Sequence, residues 1–339
     1  MLKWSDVDQT VLKQYLAARE AVGFRKLSER GKLRVTGPDR IGFLQAIISN
    51  EVSALPEWHG RYGTLLTARG RIVSDFCYYR LPESVLLDID SHFLPKTLQV
   101  LEGYVIMDDV LLKDVSEEWS HWSLQGPKTE DLLREVFPSF APGEAWQVQE
   151  VHWQGMALLL INKNERAPSQ VEMLLPREAG ALLEKEIRKE SVSKSLQDVG
   201  DEAWEILRLE AGIPLFGVDM DEQRYPMEAR LSRAVSLTKG CFVGQEVVAK
   251  ATNVGGVNNL LMGLRLDGAS VPARGSAVLS GEGKQVGMIT SAVFSPRNRC
   301  PIALAYLKTK FAISGSECMV VAENDRKIRG HVVDDLASL

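Results

Sequence analysis

The sequence lacks the features that would tie a protein to a membrane, a metal or the cell exterior. It holds no apolar run near the roughly 20 residues that a spanning helix needs, and its first residues show no basic segment followed by an apolar core. Its four cysteines and five histidines lack C-x-x-C or paired metal-ligand spacing. We therefore expect no membrane partner, no metal site, no resident iron–sulfur cluster, and a cytoplasmic location with reduced thiols.

Nucleotide and nucleic-acid signals are also missing. No glycine-rich fingerprint follows a strand and opens a helix, which argues against a dinucleotide or P-loop site. The net charge of −5 and the pI near 5.7 argue against direct binding to nucleic acid. The 339 residues are 45% hydrophobic and 25% charged, which is typical of a globular protein. A chain of this length predicts two or three domains.

Hydrophobic spacing and turn residues predict two consecutive α+β units rather than a doubly wound sheet. The first unit is predicted to hold helices over 6–23, 41–49 and 93–101 and strands over 72–81, 85–89 and 110–115. The second is predicted to hold helices over 128–137, 177–190 and 202–210 and strands over 156–161 and 171–175. The similar order of elements in the two stretches supports this division.

From about residue 259 the pattern changes to short apolar runs broken by Gly, Pro and Asn. Many short strands with almost no helix predict a small β-barrel or sandwich. The expected domains are therefore a first α+β unit over 1–118, a second over 119–252 and a barrel over 253–339.

The most informative segment is 239–246, K-G-C-F-V-G-Q-E, in which a thiol lies between two glycines. In an extended backbone, positions i and i+2 face the same way, so the Lys239 ammonium is expected beside the Cys241 sulfur. A neighbouring cation favours the reactive thiolate. The alternative is a buried cysteine beside an incidental lysine, and spacing alone does not choose between the two.

This octet resembles the K-G-C-[FY]-x-G-Q-E signature of the YgfZ-type folate-binding proteins. These are relatives of the glycine-cleavage T-protein (aminomethyltransferase) and include mitochondrial iron–sulfur assembly factors of the same type. Weaker similarity runs through V-T-G-P-D-R at 35–40, R-L-E-A-G at 208–212 and P-M-E-A at 226–229, and covers nearly everything from about residue 20 onward. The resemblance implies an α+β fold of two ferredoxin-like units plus a C-terminal β-barrel, arranged as a ring around a central folate cavity.

The resemblance also implies which residues bind tetrahydrofolate. Glu210 is similar to a glutamate that hydrogen-bonds the pterin, and a carboxylate suits the aminopyrimidine edge. The helix over 202–210 puts this acid in its last turn, where the macrodipole disfavours it, which is a reason to suspect a function. A solvated surface acid is the alternative reading of the residues alone. Arg71, Gln245 and Glu246 are the further candidates for cofactor binding.

Segment 70–75, G-R-I-V-S-D, resembles the T-protein segment that ends in Asp-Asp and supplies a catalytic aspartate. Ser74 replaces the first acid here, which counts against aminomethyl transfer. Asp75 is expected to assist proton transfer or to orient folate, with a polar residue at a strand edge as the alternative. Cys77 lies in an apolar strand and is expected to be inert core.

Three functions follow from these observations. The first is a tetrahydrofolate-binding factor that supports iron–sulfur cluster assembly or repair in client enzymes, including radical enzymes that modify tRNA. Its chemical groups would be Cys241, Lys239 and Asp75, and its partners the folate and the client proteins. The second is an aminomethyltransferase or another folate-dependent one-carbon transferase. The third is a binding module in which Cys241 is structural.

Overall fold

The computed structural model of the protein describes residues 8–164, 169–251, 256–322 and 325–338. The helices are α1 (Gln9–Glu20), α2 (Arg40–Ile47), α3 (Leu94–Glu102), α4 (Thr129–Val136), α5 (Gly180–Glu190), α6 (Asp201–Glu210) and α7 (Gln245–Lys250). The strands are β1 (Val22–Lys26), β2 (Arg30–Thr36), β3 (His59–Leu66), β4 (Ile72–Arg80), β5 (Val85–Asp90), β6 (Leu111–Asp114), β7 (Trp119–Gln125), β8 (Val148–Trp153), β9 (Met156–Asn162), β10 (Gln170–Pro176), β11 (Leu196–Asp198), β12 (Asn259–Leu266), β13 (Ala277–Leu279), β14 (Gln285–Ser295), β15 (Cys300–Lys308), β16 (Glu317–Val321) and β17 (Lys327–Val333).

Two open sheets carry the first two-thirds of the chain. The first has five strands in the order β3-β4-β5-β2-β6, and apolar residues of α2 and α3 pack on one of its faces. The second has six strands in the order β11-β1-β7-β10-β9-β8, and α4 and α5 cover one of its faces in the same way. Because helices cover one face of each sheet, the remaining faces are free to pack on each other.

The two sheets meet through an apolar cluster that both supply. Tyr79 and Leu86 of the first sheet join Leu159, Ile161 and Leu174 of the second, and all five are buried. Burial of apolar surface stabilises a protein by about 25 cal/mol for each Å² removed from water. This cluster therefore stabilises the contact between the two sheets. The inner faces beyond this cluster carry charged and polar side chains, which form the candidate site described below.

The C-terminal part of the chain forms a closed barrel in the order β12-β15-β14-β13-β16-β17. Its interior is filled by alternating apolar side chains such as Leu264, Ile289 and Ala305, so it is a packed core and not a channel. The barrel contacts α6 through Leu209, which packs against Ile302 and Leu304. The barrel therefore supports the helix that lines the candidate site.

The predicted fold class, two α+β units plus a C-terminal barrel, is confirmed. The unit limits at 118, 119 and 252 stay predictions, and the limit between 252 and 253 lies outside the described residues, as does the start of the helix predicted from residue 6. Strand β1 pairs with β7 and β11, so this early segment belongs to the second sheet. No helix in the described ranges is long and apolar enough to cross a membrane.

Candidate functional site

A cavity of about 230 Å³ lies between the inner faces of the two sheets and helix α6. Asp75 and Cys77 enter it from the first sheet, and Glu172 enters it from the second. Trp204 and Leu207 of α6 form a further wall. Trp204 also lines a neighbouring groove of about 1230 Å³, so the groove and the cavity adjoin at this side chain.

Asp75 faces the cavity because side chains alternate along β4. The Tyr62 hydroxyl donates a hydrogen bond to its Oδ2 at 2.6 Å. Burial raises the pKa of Asp75, although this hydrogen bond opposes the shift. Ser74 points to the opposite face, where it is buried and accepts a hydrogen bond from Thr97. Asp75 is therefore the residue of this pair that lines the cavity, and Ser74 lies away from it.

A buried network of ionisable groups forms the polar end of the cavity. Asp88 of β5 accepts hydrogen bonds from Arg30 Nε at 3.0 Å and from Lys32 Nζ at 2.8 Å. Burial opposes ionisation of this acid, but the two cations hold its pKa well below the usual range. Within the second sheet, His121 Nε2 of β7 lies 3.3 Å from Glu172 Oε2 of the neighbouring strand β10. Burial and the Lys32 ammonium lower the pKa of His121, so its ring is neutral at pH 7.

Asp88, His121 and Glu172 are the kinds of ligand that hold a metal ion, and their ligand atoms lie within 4.8 Å of one another. The Lys32 ammonium occupies the space between two of them, because Nζ is 2.8 Å from Asp88 Oδ1 and 3.1 Å from His121 Nδ1. An internal cation therefore neutralises the cluster. The prediction that the site holds no metal stays a prediction.

Cys77 and Lys163 form a second pair in the cavity wall. Lys163 Nζ donates to Cys77 Sγ at 3.1 Å and lies 3.7 Å from Glu172 and 4.0 Å from the centre of the Trp146 ring. Burial raises the pKa of the Cys77 thiol, while the ammonium opposes that shift. Cys77 was expected to be inert and to lie in the core. The expected position is wrong, because the side chain lines the cavity beside Asp75.

Glu210 ends α6 as the sequence predicted, but its carboxylate is already hydrogen-bonded. Tyr15 of α1 donates to both oxygens, at 3.1 and 2.9 Å, and Ser295 of β14 donates to Oε1 at 2.6 Å. The residue is 2% exposed and is not among the residues that line the cavity. It is a buried acid that ties α6 to α1 and to the barrel, and direct folate binding by Glu210 stays a prediction.

Lys239 and Cys241 do not form the expected pair. Gly240 has a φ of 96°, so the backbone between them is not extended and the two side chains do not share a face. Lys239 Nζ instead donates to the carbonyls of Ile48, at 2.7 Å, and Asn50, at 2.6 Å. Burial lowers its pKa to about 8. The thiol–ammonium geometry proposed for the octet was therefore wrong, while the reactivity of Cys241 stays a prediction.

The other residues of the octet hold it in one conformation. Phe242 is buried, and its backbone N–H donates to the Gln245 side-chain oxygen at 3.3 Å. Gly244 has a φ of 81° and approaches the turn at 67–70, where a Cβ would lie 2.6 Å from the Thr67 carbonyl oxygen. The Cys241 side chain is exposed, and within the described ranges no hydrogen bond holds its thiol. The octet is therefore a rigid support that presents one thiol to solvent.

The remaining candidates for cofactor binding lie outside the cavity. Arg71 Nη1 donates to the Gln223 carbonyl, and its guanidinium stacks on the Tyr225 ring with 3.8 Å to the ring centre. Glu246 is exposed and pairs with Lys250 at 2.6 Å. Their cofactor-binding roles and that of Gln245 stay predictions.

A second opening lies beside the cavity and next to the octet. A pocket of about 550 Å³ is lined by Arg61 and Thr238, and it shares Tyr62, Trp146 and Arg233 with the cavity wall. Thr238 directly precedes Lys239. Sequence reasoning did not select Arg61 or Arg233, because isolated arginines carry no motif; only the fold brings them to one opening.

The chain matches two family profiles that together cover most of its length. Residues 3–239 match the GCVT N-terminal domain, and residues 260–336 match the glycine cleavage T-protein C-terminal barrel domain. The second match coincides with the strands of the closed barrel. The first spans both sheets, helix α6 and the first residue of the octet.

Curated relatives and solved structures agree with these matches. The chain is 27% identical over 314 residues to an aminomethyltransferase of Chlorobium limicola, which covers 91% of this chain and 86% of that protein. It is 28% identical over 326 residues to an aminomethyltransferase of Thermotoga neapolitana, covering 96% and 88%. The crystal structure of aminomethyltransferase T from Bartonella henselae superposes with a TM-score of 0.87 at 24% identity, covering 97% and 89% of the two chains.

Proposed function

Because the chain belongs to the glycine cleavage T-protein family, we propose that it binds tetrahydrofolate in the cavity between the two sheets. The wall residues suit this ligand. Asp75 and Glu172 are hydrogen-bond acceptors for pterin N–H groups, and Trp204 offers a ring face for stacking. Tetrahydrofolate, when bound, supplies a carrier for one-carbon units.

The second opening suits the anionic end of the folate. Arg61 and Arg233 are its charged lining residues within the described ranges, and guanidinium groups bind carboxylates through paired hydrogen bonds. By contrast, acids such as Asp198, Glu202 and Glu205 outnumber the cations Arg25, Lys26 and Arg30 in the lining of the larger groove. We therefore assign the glutamate tail to the Arg61 and Arg233 opening, and cofactor binding by Arg71 stays a prediction.

We infer that the chain acts as a folate-binding factor for iron–sulfur cluster assembly or repair in client enzymes, including radical enzymes that modify tRNA. The observation that carries this proposal is the exposed Cys241 thiol, presented by an octet that the side chains of Lys239 and Gln245 hold in place. The resemblance of that octet to the YgfZ-type signature connects it with such clients. The proposed location is the cytoplasm, where a free thiol stays reduced.

A second candidate, folate-dependent aminomethyl transfer, is favoured by a different observation. Asp75 keeps its carboxylate in the cavity with a raised pKa, which suits a group that accepts and returns a proton. The relatives named aminomethyltransferase support this candidate at 27 and 28% identity. The two candidates share the cavity and differ in which residue they need.

The experiment measures two activities in the same four proteins: wild type, Cys241→Ser, Asp75→Asn and the matched control Cys300→Ser. One assay follows reactivation of a damaged iron–sulfur client with tetrahydrofolate present. The other follows methylenetetrahydrofolate formation from an aminomethyl donor. The first proposal expects client reactivation to be lost in Cys241→Ser and kept in Cys300→Ser.

The outcomes separate the candidates. Equal reactivation by Cys241→Ser and Cys300→Ser overturns the thiol proposal. Methylenetetrahydrofolate formation that Asp75→Asn abolishes and Cys241→Ser leaves unchanged establishes the second candidate. Calorimetry with tetrahydrofolate on wild type, under reducing conditions, tests the shared premise, and no binding by a folded protein overturns both.

A further inference from the structure

Two nucleophiles of different chemistry face each other in the cavity wall, and the function proposed above uses neither. Cys77 Sγ and Lys163 Nζ are 3.1 Å apart, and both residues line the cavity. Cys77 lies two residues after Asp75 on the same face of β4, so the pair stands next to the proton-accepting carboxylate. A thiol and an amine that are held in contact can both bond to one small electrophilic carbon.

We propose that Cys77 and Lys163 form a covalent capture site for formaldehyde, the simplest aldehyde. The biological meaning rests on the proposed function, because a one-carbon unit carried between two folate nitrogens is at the oxidation level of formaldehyde. A capture site in the wall of the folate cavity retains such a carbon when it leaves the folate. The chemistry itself needs no folate and no oxidant.

The reaction balances without a further reactant. The thiol sulfur adds to the aldehyde carbon, and the lysine nitrogen then replaces the aldehyde oxygen on that carbon. One C–S bond and one C–N bond form, and the oxygen leaves as water with one hydrogen from the thiol and one from the amine. The product is a methylene bridge from Cys77 Sγ to Lys163 Nζ, and the chain gains one carbon atom in mass.

The geometry favours closing this bridge over reaction at a free side chain. The two atoms are already close to the separation of two substituents on one tetrahedral carbon. Holding reacting groups together in this way raises their effective concentration by orders of magnitude. The Trp146 ring, 4.0 Å from Lys163 Nζ, shields the amine from water and thus disfavours hydrolysis of the bridge.

The charged neighbours set the conditions for capture. Glu172 lies 3.7 Å from the Lys163 ammonium, and Asp88 and Arg30 belong to the same network. Burial raises the pKa of the Cys77 thiol. Burial alone would lower the pKa of Lys163, but the carboxylates of Glu172 and Asp88 raise it. Both nucleophiles therefore hold their protons at pH 7, and capture is expected to become faster as the pH rises.

The octet supplies a matched contrast within the same chain. Lys239 is close to Cys241 in sequence, but its ammonium is bound by the carbonyls of Ile48 and Asn50. Cys241 is exposed and has no amine held beside it in the described structure. Formaldehyde at Cys241 is therefore expected to give only the reversible adduct that retains the aldehyde oxygen.

The test uses the full chain and equimolar formaldehyde at mildly alkaline pH, with intact mass and peptide mapping as the readout. We expect a gain of one carbon atom per chain, mapped to a crosslink between the peptides of Cys77 and Lys163. The crosslinked fraction should fall by about tenfold or more in Cys77→Ser and in Lys163→Arg, and stay unchanged in Cys241→Ser. Because one variant lies in β4 and the other lies directly after β9, the test stays valid if one of the two variants does not fold.

A one-carbon gain that maps elsewhere, or that persists in both variants, overturns the proposal. A second arm measures tetrahydrofolate binding to the untreated and to the crosslinked protein by calorimetry, after free formaldehyde has been removed because tetrahydrofolate itself condenses with formaldehyde. The bridge is expected to weaken tetrahydrofolate binding, because it occupies the cavity wall. If the crosslink forms but tetrahydrofolate does not bind the untreated protein, the folate proposal fails and the capture site stands. If tetrahydrofolate binds but no crosslink forms, the capture site alone fails.

Discussion

Arg208 and Asp219 form an ion pair inside the protein, with 2.8 Å between Nη1 and Oδ2 and both side chains almost fully buried. Asp219 also accepts hydrogen bonds from Thr290 and Ser291 of β14, at 2.6 and 2.7 Å, and from the Leu215 backbone at 3.0 Å. Because Arg208 lines the cavity, this pair fixes the α6 wall to the barrel. The barrel thus helps to hold the α6 wall of the candidate site in place.

Asp219→Ala is expected to lower the free energy of unfolding by about 1–3 kcal/mol, since it removes the buried acceptor of four hydrogen bonds while Glu205 still pairs with the Arg208 guanidinium. Urea denaturation of wild type and variant measures the difference. The matched control is Glu246→Ala, which removes an acid from an exposed pair with Lys250 and is expected to leave the transition unchanged. A loss no larger in Asp219→Ala than in the control would contradict the anchoring role.

Asp75→Asn is expected to stabilise the protein at pH 7 by about 1 kcal/mol while weakening any activity that needs a proton acceptor. The pKa of Asp75 is raised in the folded state, so its ionised form is disfavoured there. Asparagine still accepts the hydrogen bond from Tyr62. Thermal unfolding at several pH values measures the effect.

The stability difference between Asp75→Asn and wild type is expected to change with pH in one direction. Below the unfolded pKa of an aspartate, near 3.9, the carboxyl is protonated in both states and the variant should match wild type. As the pH rises through the raised folded pKa, wild type loses stability relative to Asp75→Asn, and the gap then stays constant. A variant that is less stable at pH 7 would show that the ionised Asp75 is favoured by its surroundings.

The folded pKa of Lys239, about 8, predicts a change of stability in mildly alkaline solution. The unfolded value lies near 10.4, so between these limits the unfolded chain binds more protons than the folded one. The free energy of unfolding should therefore rise with pH in that window, by about 1 kcal/mol after allowance for the part of the ammonium that faces solvent.

Lys239→Met is expected to remove this rise, and urea denaturation at pH values between about 7.5 and 10 measures it. Lys250→Met, at an exposed lysine, provides the control and should keep the wild-type pH dependence. Parallel curves for all three proteins would mean that the Lys239 ammonium titrates at its ordinary pKa.

The fold was predictable where one face of each element is apolar. The barrel strands and the helices of both units follow the spacing of their buried residues, and α6 ends at Glu210 as expected. Strand β2 was not predicted, because Arg30 and Lys32 point into the buried ion network where apolar residues are expected. Strand β1 was also missed, since its partners β7 and β11 lie far along the chain.

The candidate site was predictable only in part, for a related reason. Asp75 came from a motif, and Cys77 was accessible to the same reasoning because positions i and i+2 of a strand share a face. Lys163 was not, since 86 positions separate it from Cys77 and only the packing of two sheets brings them together. The predicted Lys239–Cys241 pair was wrong because the positive φ of Gly240 turns the backbone between the two residues. Residue spacing does not reveal such a torsion angle.

Glu210→Gln tests whether the acid at the end of α6 binds folate or only holds the helix in place. The resemblance to the T-protein family assigns Glu210 to the pterin, whereas in the structure Tyr15 and Ser295 already donate to its carboxylate. Burial and the charge of Glu210 both raise the pKa of the Tyr15 hydroxyl, so Tyr15 keeps the proton that it donates to the carboxylate. We expect Glu210→Gln to lower the free energy of unfolding by about 1–3 kcal/mol, because a charged acceptor of three hydrogen bonds is lost.

The same variant should bind tetrahydrofolate within about twofold of wild type, since its side chain does not line the cavity. Tyr15→Phe is the matched control, because it removes the hydroxyl that binds Glu210 without touching the acid. If Glu210 only positions α6, the two variants lose stability together and keep their affinity. A more than tenfold loss of affinity in Glu210→Gln, absent in Tyr15→Phe, would mean that folate displaces Tyr15 from the carboxylate. In that case the buried acid exchanges one partner for another as the ligand enters, and the family assignment holds.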